Sequence, residues 1–144
     1  LQVIRAFGAI ANGGMLMRPI MQRNRQGEKV RRVLKKETAE AVAAMMEGAV
    51  EKAFIARLPN HRVAGKTGTA EVPDFEHGGY EDAFIHTFVG FAPVGDPKFV
   101  ALIKLDKPRA TLAGQTVVPA FKELAQFLVD YYAVPPNKRT EEKK

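Results

Sequence analysis

Serine and cysteine are both missing from this chain of 144 residues. Without cysteine there is no disulfide and no thiolate metal site, and the redox compartment cannot be read. Without either residue the chain lacks the two side chains that most often form acyl-enzymes. No stretch reaches the ~18–20 consecutive apolar residues that cross a bilayer, and no leader-like segment opens the chain. Aromatic residues are absent between Gly8 and Ala53, where most of the positive charge lies. Residues 1–36 hold nine Lys/Arg against one Glu, a net of +8, and the rest holds thirteen against fifteen, a net of −2. Single-stranded nucleic-acid binders interleave aromatics with such a patch. A solvated basic hairpin or loop near an anionic surface is the better reading, and no nucleic-acid partner is expected.

What is present is ordinary for a globular chain: 46% apolar and 26% charged residues, and a length sufficient for one domain. Leu1 opens in the middle of an apolar-periodic run with no helix cap before it, which reads as a piece of a longer polypeptide. Val3, Ile4, Phe7, Ile10 and Ala11 recur at helical spacing, and Asn12-Gly13-Gly14 supplies residues that end helices. Met15 to Met21 reads as extended, Gln22 to Lys29 as a loop and Val30 to Leu34 as a brief strand. A second helix fits Glu37 to Lys52, with Val42, Met45, Met46, Ala49 and Val50 on its inner face. Met15, Met17, Met45 and Met46 read as core filler rather than a binding groove.

Three strands follow: His61 to Val72, Ala83 to Ala92 and Lys98 to Lys104. Between them lie a surface loop, Pro73 to Asp82, and a turn bounded by Pro93 and Pro97. Phe99-Val-Ala-Leu-Ile103 is a continuous apolar run, which predicts a strand covered on both faces. A last helix over Pro119 to Tyr132 offers Phe121, Leu124, Ala125, Leu128, Tyr131 and Tyr132 as its core stripe. Residues 1–136 thus form the structured unit, and 137–144 a charged tail expected to be disordered. The fold class is α+β, an antiparallel meander with helices packed on it. His61, His77 and His86 lack ligand spacing, so no metal or other cofactor is expected.

The motif that carries chemistry lies in the first long strand, Ala64-Gly-Lys-Thr-Gly-Thr-Ala70. A phosphate-binding loop is a poor fit, because its first glycine would fall on Asn60 and strand, not helix, follows Thr67. Val63-Ala-Gly-Lys-Thr-Gly-Thr-Ala-Glu-Val72, Phe88-Val-Gly-Phe-Ala-Pro93 and Asp96-Pro-Lys-Phe-Val-Ala-Leu-Ile-Lys-Leu-Asp-Lys-Pro108 together resemble the transpeptidase domain of class B penicillin-binding proteins. Ala9-Ile-Ala-Asn-Gly-Gly14 and Val118-Pro-Ala-Phe-Lys-Glu-Leu124 look like its flanking segments in the same order. The likeness is greater to division-type than to elongation-type members.

The resemblance implies the C-terminal part of a serine D,D-transpeptidase domain: three strands of a five-stranded penicillin-binding/β-lactamase-like sheet. It implies that Lys66 reaches the serine network of the cleft and that the hydroxyls of Thr67 and Thr69 bind the carboxylate of a D-Ala-D-Ala stem peptide or β-lactam. Gly68 would keep the cleft open, and the Thr69 backbone N–H would serve as an oxyanion donor. It further implies the N-terminal half of the same domain as a partner, cell-division proteins as further candidates, and a periplasmic or outer-face location anchored by a segment outside this chain. The nucleophile (Ser-x-x-Lys) and the Ser-x-Asn motif would lie upstream of Leu1, so this chain alone is expected to be inactive. The alternative is a catalytically silent binding module that kept the sheet. The likeness breaks at Glu51 to Ile55, where the family's Gly-Thr-Gly-like turn has no glycine counterpart. Finally, the apolar Lys98 to Lys104 strand should lack a partner on one side within these residues.

Overall fold

The computed structural model describes residues 1–22 and 24–138. Its elements in order are helix α1 (Gln2–Ala11), strands β1 (Met15–Arg18) and β2 (Glu28–Arg32), helix α2 (Lys36–Lys52), strands β3 (Ala64–Pro73), β4 (Tyr80–Ala92) and β5 (Phe99–Asp106), and helix α3 (Val117–Tyr131). A 3₁₀ turn, Ala113–Gln115, leads into α3. The α+β class and the antiparallel meander β3-β4-β5 stand as the sequence predicts, beside a separate two-stranded ribbon, β1-β2.

Boundaries moved where turns proved tighter than composition suggests. The motif strand starts at Ala64 rather than His61, because residues 60–62 are taken up by long-range tethers. Strand β4 begins at Tyr80, so the loop expected over Pro73 to Asp82 shrinks to a short hairpin turn. Strand β2 starts two residues early, at Glu28, where it pairs with Arg18. Helix α1 ends as its sequence dictates. Gly13 adopts φ +77°, and the Gly14 N–H reaches back to the Ala9 carbonyl at 2.7 Å, closing a Schellman motif.

The sheet carries a core on each face. On one, Phe88 packs on Phe121 of α3 with ring centroids 4.5 Å apart, among Val63, Val117, Ala125 and Val129. On the other, Ala64, Phe91 and Val94 meet Ala43 and Met46 of α2 and Phe7 and Ile10 of α1. Strand β5 serves both, with Phe99, Ala101 and Ile103 toward α3 and Val100 toward α1 and α2. Two-sided burial is the reason its apolar run does not alternate. Among the described residues β5 pairs only with β4, leaving one edge free as expected.

Two helix faces needed rotating. Helix α2 buries Ala39, Ala43, Met46 and Val50, whereas Met45 is 66% exposed and Ala49 also faces out. Small alanines sit inward because the helix lies close to the sheet, so Met45 is not core filler. Helix α3 buries Val117, Val118, Phe121, Ala125 and Val129. Leu124, Tyr131 and Tyr132, expected inside, are exposed, and Tyr131 stacks instead on Phe127 at 5.8 Å.

The glycine-free segment before β3 keeps left-handed backbone without glycine. Phe54 (φ +54°) and Ala56 (φ +51°) both adopt it, held by burial of Ala56 and by Arg57 stacking over the Phe54 ring. Asn137, assigned by composition to the tail, is tied in. Its side chain accepts from the Arg62 N–H at 2.9 Å and donates to the Val94 carbonyl at 3.0 Å. Lys138 pairs with Glu51 at 2.8 Å. The rest of the predicted tail, 139–144, lies outside the described residues.

Candidate functional site: the free edge of the motif strand

Strand β3 forms one edge of the meander, and its register decides what that edge presents. The Phe84 carbonyl accepts from Lys107 and the Ala92 carbonyl from Lys98, both at 2.9 Å on the β5 side. Even-numbered β4 residues therefore turn their main chain toward β5, and odd-numbered ones toward β3. Lys66, Gly68 and Ala70 stand opposite Val89, Thr87 and Ile85. They consequently use their own N–H and C=O groups in the ladder. Thr67, Thr69 and Glu71, opposite Phe88, His86 and Phe84, project theirs from the free edge. The motif thus presents backbone donors and acceptors outside the ladder at both threonines.

Side chains divide by the two-residue period of the strand. Thr67 and Thr69 share the α3 face with Phe88, while Lys66 and Gly68 share the α2 face with Ala64. Lys66 and Thr69 are exposed and Thr67 is half-buried. The Lys66 ammonium turns back over the edge and donates to the outward carbonyl of Thr67 at 2.7 Å. Lys66, Thr67, Gly68 and Thr69 are therefore contiguous and accessible.

Gly68 has a reason the sequence did not disclose. A Cβ there would lie 2.4 Å from Thr87 Oγ1 on the neighbouring strand. A side chain at 68 would have to displace the Thr87 hydroxyl, so the glycine also serves its cross-strand neighbour.

The edge is held from behind. Arg62 makes a bidentate pair with Glu47 of α2, both contacts 2.6 Å, and this hydrogen bonding raises the guanidinium pKa further. The His61 Nε2–H donates to the Val134 carbonyl at 3.0 Å, and the Val94 N–H donates to the Arg62 carbonyl at 2.9 Å. Residues 60–62 thus bind α2, the β4–β5 turn and the chain after α3 at one point. Only the fold shows this, since the partners lie from 15 residues away (Glu47 to Arg62) to 78 (Asn60 to Lys138).

His86, directly opposite Thr69, is fully buried and places Nδ1 2.9 Å from Thr116 Oγ1. Its Nε2 has no partner among the described residues. Only the strand register could have singled it out. A cavity of about 720 Å³ lies elsewhere, between the end of α1, the start of α2 and the β4–β5 turn, lined by Lys36, Arg62, Phe91 and Lys98 among others. None of residues 64–71 lines it. Among the described residues no three His, Cys, Asp or Glu side chains converge on a point, and no helix is long and apolar enough to cross a membrane.

An outward-facing Lys-Thr-Gly-Thr edge on an antiparallel sheet flanked by helices on both faces defines a class. The chain belongs to the penicillin-binding protein transpeptidase domain family, whose profile matches residues 1–126. The probable peptidoglycan D,D-transpeptidase PbpC of Pseudomonas aeruginosa is 30% identical over 94% of this chain and 25% of its own length. Stage V sporulation protein D of Bacillus subtilis is 29% identical over 100% of this chain and 25% of its own. The chain therefore spans about a quarter of these relatives.

Among solved structures, the apo transpeptidase domain of penicillin-binding protein 3 from Burkholderia pseudomallei superposes with a TM-score of 0.80. It is 32% identical, covering 96% of this chain and 44% of that one. Penicillin-binding protein 3 of Mycobacterium tuberculosis, complexed with aztreonam, gives 0.78 at 27% identity over 95% and 36%.

Proposed function

We propose that this chain supplies the Lys-Thr-Gly side of a serine D,D-transpeptidase site that cross-links peptidoglycan stem peptides, with septal synthesis the favoured setting. The observation that carries the proposal is the free edge of β3. Two threonine hydroxyls, two outward-facing backbone units and a lysine ammonium stand together along four residues, Lys66 to Thr69.

Each group fits one demand of acyl transfer from a peptide ending in D-Ala-D-Ala. The terminal carboxylate is received by the Thr67 and Thr69 hydroxyls. An extended peptide adds to the edge as a further strand. The Thr69 N–H meets the carbonyl oxygen as it becomes an oxyanion, a donor typically worth ~3–4 kcal/mol in the transition state. The Lys66 ammonium leaves Thr67 and keeps the charge and proton network of a serine supplied from outside these residues. β-Lactams occupy the same positions.

The rest of the reading follows the family. The N-terminal half of the domain contributes the nucleophile and covers the free edge of β5. The whole protein works on the outer face of the bacterial membrane, anchored by a segment outside this chain, beside cell-division proteins. Residues 1–136 are the catalytic-domain part, and 137–144 its charged extension. No cofactor is assigned.

The test is penicillin acylation. The isolated chain, lacking Ser and Cys, forms no covalent adduct with a fluorescent penicillin. In the complete protein, Lys66→Ala lowers the acylation rate constant by about 10²-fold or more. Thr69→Val keeps the backbone donor and mainly weakens binding, by about tenfold. A labelled band from the isolated chain, or equal effects of both changes on rate and binding, overturns the roles. The rival reading is a silent binding module, and complete protein that takes no label establishes that rival instead.

A further inference from the structure

Along the free edge of β3 the residues that turn their main chain outward form a row, Thr67, Thr69, Glu71. Successive members of such a row lie about 6.8 Å apart. Glu71 is exposed and faces the same side of the strand as the two threonines. Opposite it stands Phe84, so no basic side chain neutralises it across the ladder. Of the other carboxylates of the hairpin, Asp74 holds the turn amides of Glu76 and His77 and Glu81 is paired with Lys107, while Glu76 and Asp82 lie off the row of outward-facing main-chain groups. Among the described residues Glu71 has neither an ion-pair nor a hydrogen-bond partner.

We infer that Glu71 is a charge-selecting residue of the acyl-donor subsite, favouring substrates with a cationic group on the acyl side of the reacting bond and disfavouring anionic ones. The inference rests on the transpeptidase reading above. With the substrate carboxylate at Thr67 and Thr69 and the reacting carbonyl at the Thr69 N–H, the remaining acyl portion has one direction to run. It passes Ala70 and reaches Glu71, whose outward N–H and C=O extend the same added strand. A charge carried there comes within about 7 Å of the Glu71 carboxylate. In a half-solvated setting a charge pair at that distance changes an equilibrium by about three- to tenfold. The sign reverses between cation and anion, so the ratio of the two changes by about tenfold or more.

The experiment measures second-order acylation constants of the complete protein with three penicillins. Ampicillin carries an ammonium beside the side-chain amide, benzylpenicillin carries no charge there, and carbenicillin carries a carboxylate. In the native protein the ampicillin-to-carbenicillin ratio is expected to exceed that of Glu71→Gln by about tenfold. Glu71→Asp should keep most of the ratio, and added salt should shrink it in the native protein alone. An unchanged ratio in Glu71→Gln, with benzylpenicillin still acylating both proteins, refutes the charge-selecting role and leaves the transpeptidase reading intact. Failure of all three penicillins to acylate the native protein refutes both.

Discussion

Gly65, one residue before the motif lysine, lies against the tip of the buried Phe88 ring, and replacing it with alanine tests how the edge is held. A Cβ at Gly65 would sit 2.4 Å from Phe88 Cζ and 2.8 Å from Cε1. Carbon atoms in contact want roughly 3.5–4.0 Å, so the ring or the strand must yield by more than about 1 Å. Phe88 cannot retreat easily. It is fully buried and packs on Phe121 at 4.5 Å, while Phe121 in turn lies so close to Gly90 that a Cβ there would be 2.7 Å from it. Overpacking of this kind costs about 1–3 kcal/mol, and alanine regains about 0.5–1 kcal/mol of chain entropy relative to glycine. A net loss of about 1–2 kcal/mol is expected, read as a lower urea midpoint at unchanged slope.

The control is Phe88→Leu, which removes ring atoms from the point of collision. The double variant should be more stable than the sum of the two single losses predicts, by about 1 kcal/mol in a double-mutant cycle. A neutral Gly65→Ala, or strictly additive changes, would refute the argument that the Phe88 ring fixes the height of the motif strand.

Two further outcomes follow from local geometry. Ala133 closes the Schellman motif of α3 at φ +47°, with the Val134 N–H bonded to the Val129 carbonyl. Ala133→Gly should therefore stabilise by about 0.5–1 kcal/mol, and a calorimetric Tm that stays level or falls contradicts this. The Asp74 carboxylate accepts from the backbone N–H groups of His77 and Glu76, which hold its pKa below the usual value. Because the folded pKa is depressed, its support of the hairpin turn is present above the unfolded value of about 3.9 and is lost as pH falls through the folded one. A carboxyl titration of Asp74 by NMR with its midpoint at or above about 3.9 would disprove it.

Local signals were legible in the sequence because they depend on neighbours in the chain. Asn12-Gly13-Gly14 stops α1 through backbone freedom that glycine alone provides cheaply. The unbroken apolar run at Phe99 to Ile103 marked β5 and announced its two-sided burial. The extended match around Lys66 to Thr69 was readable for the same reason, since a four-residue motif on a strand carries its period with it.

What the fold alone decided depends on residues far apart. Which faces of α2 and α3 turn inward was set by how the helices dock on the sheet, which buried Ala39 and Ala43 rather than Met45 and left Tyr131 outside. The demand for glycine at 65 and 68 comes from Phe88 and Thr87, some twenty residues away. Which backbone groups of the motif face outward follows from pairing between β4 and β5. A strand has no preferred edge until a partner takes the other one, so Thr67, Thr69 and Glu71 become a row of outward-facing main-chain groups only when β4 takes up Lys66, Gly68 and Ala70.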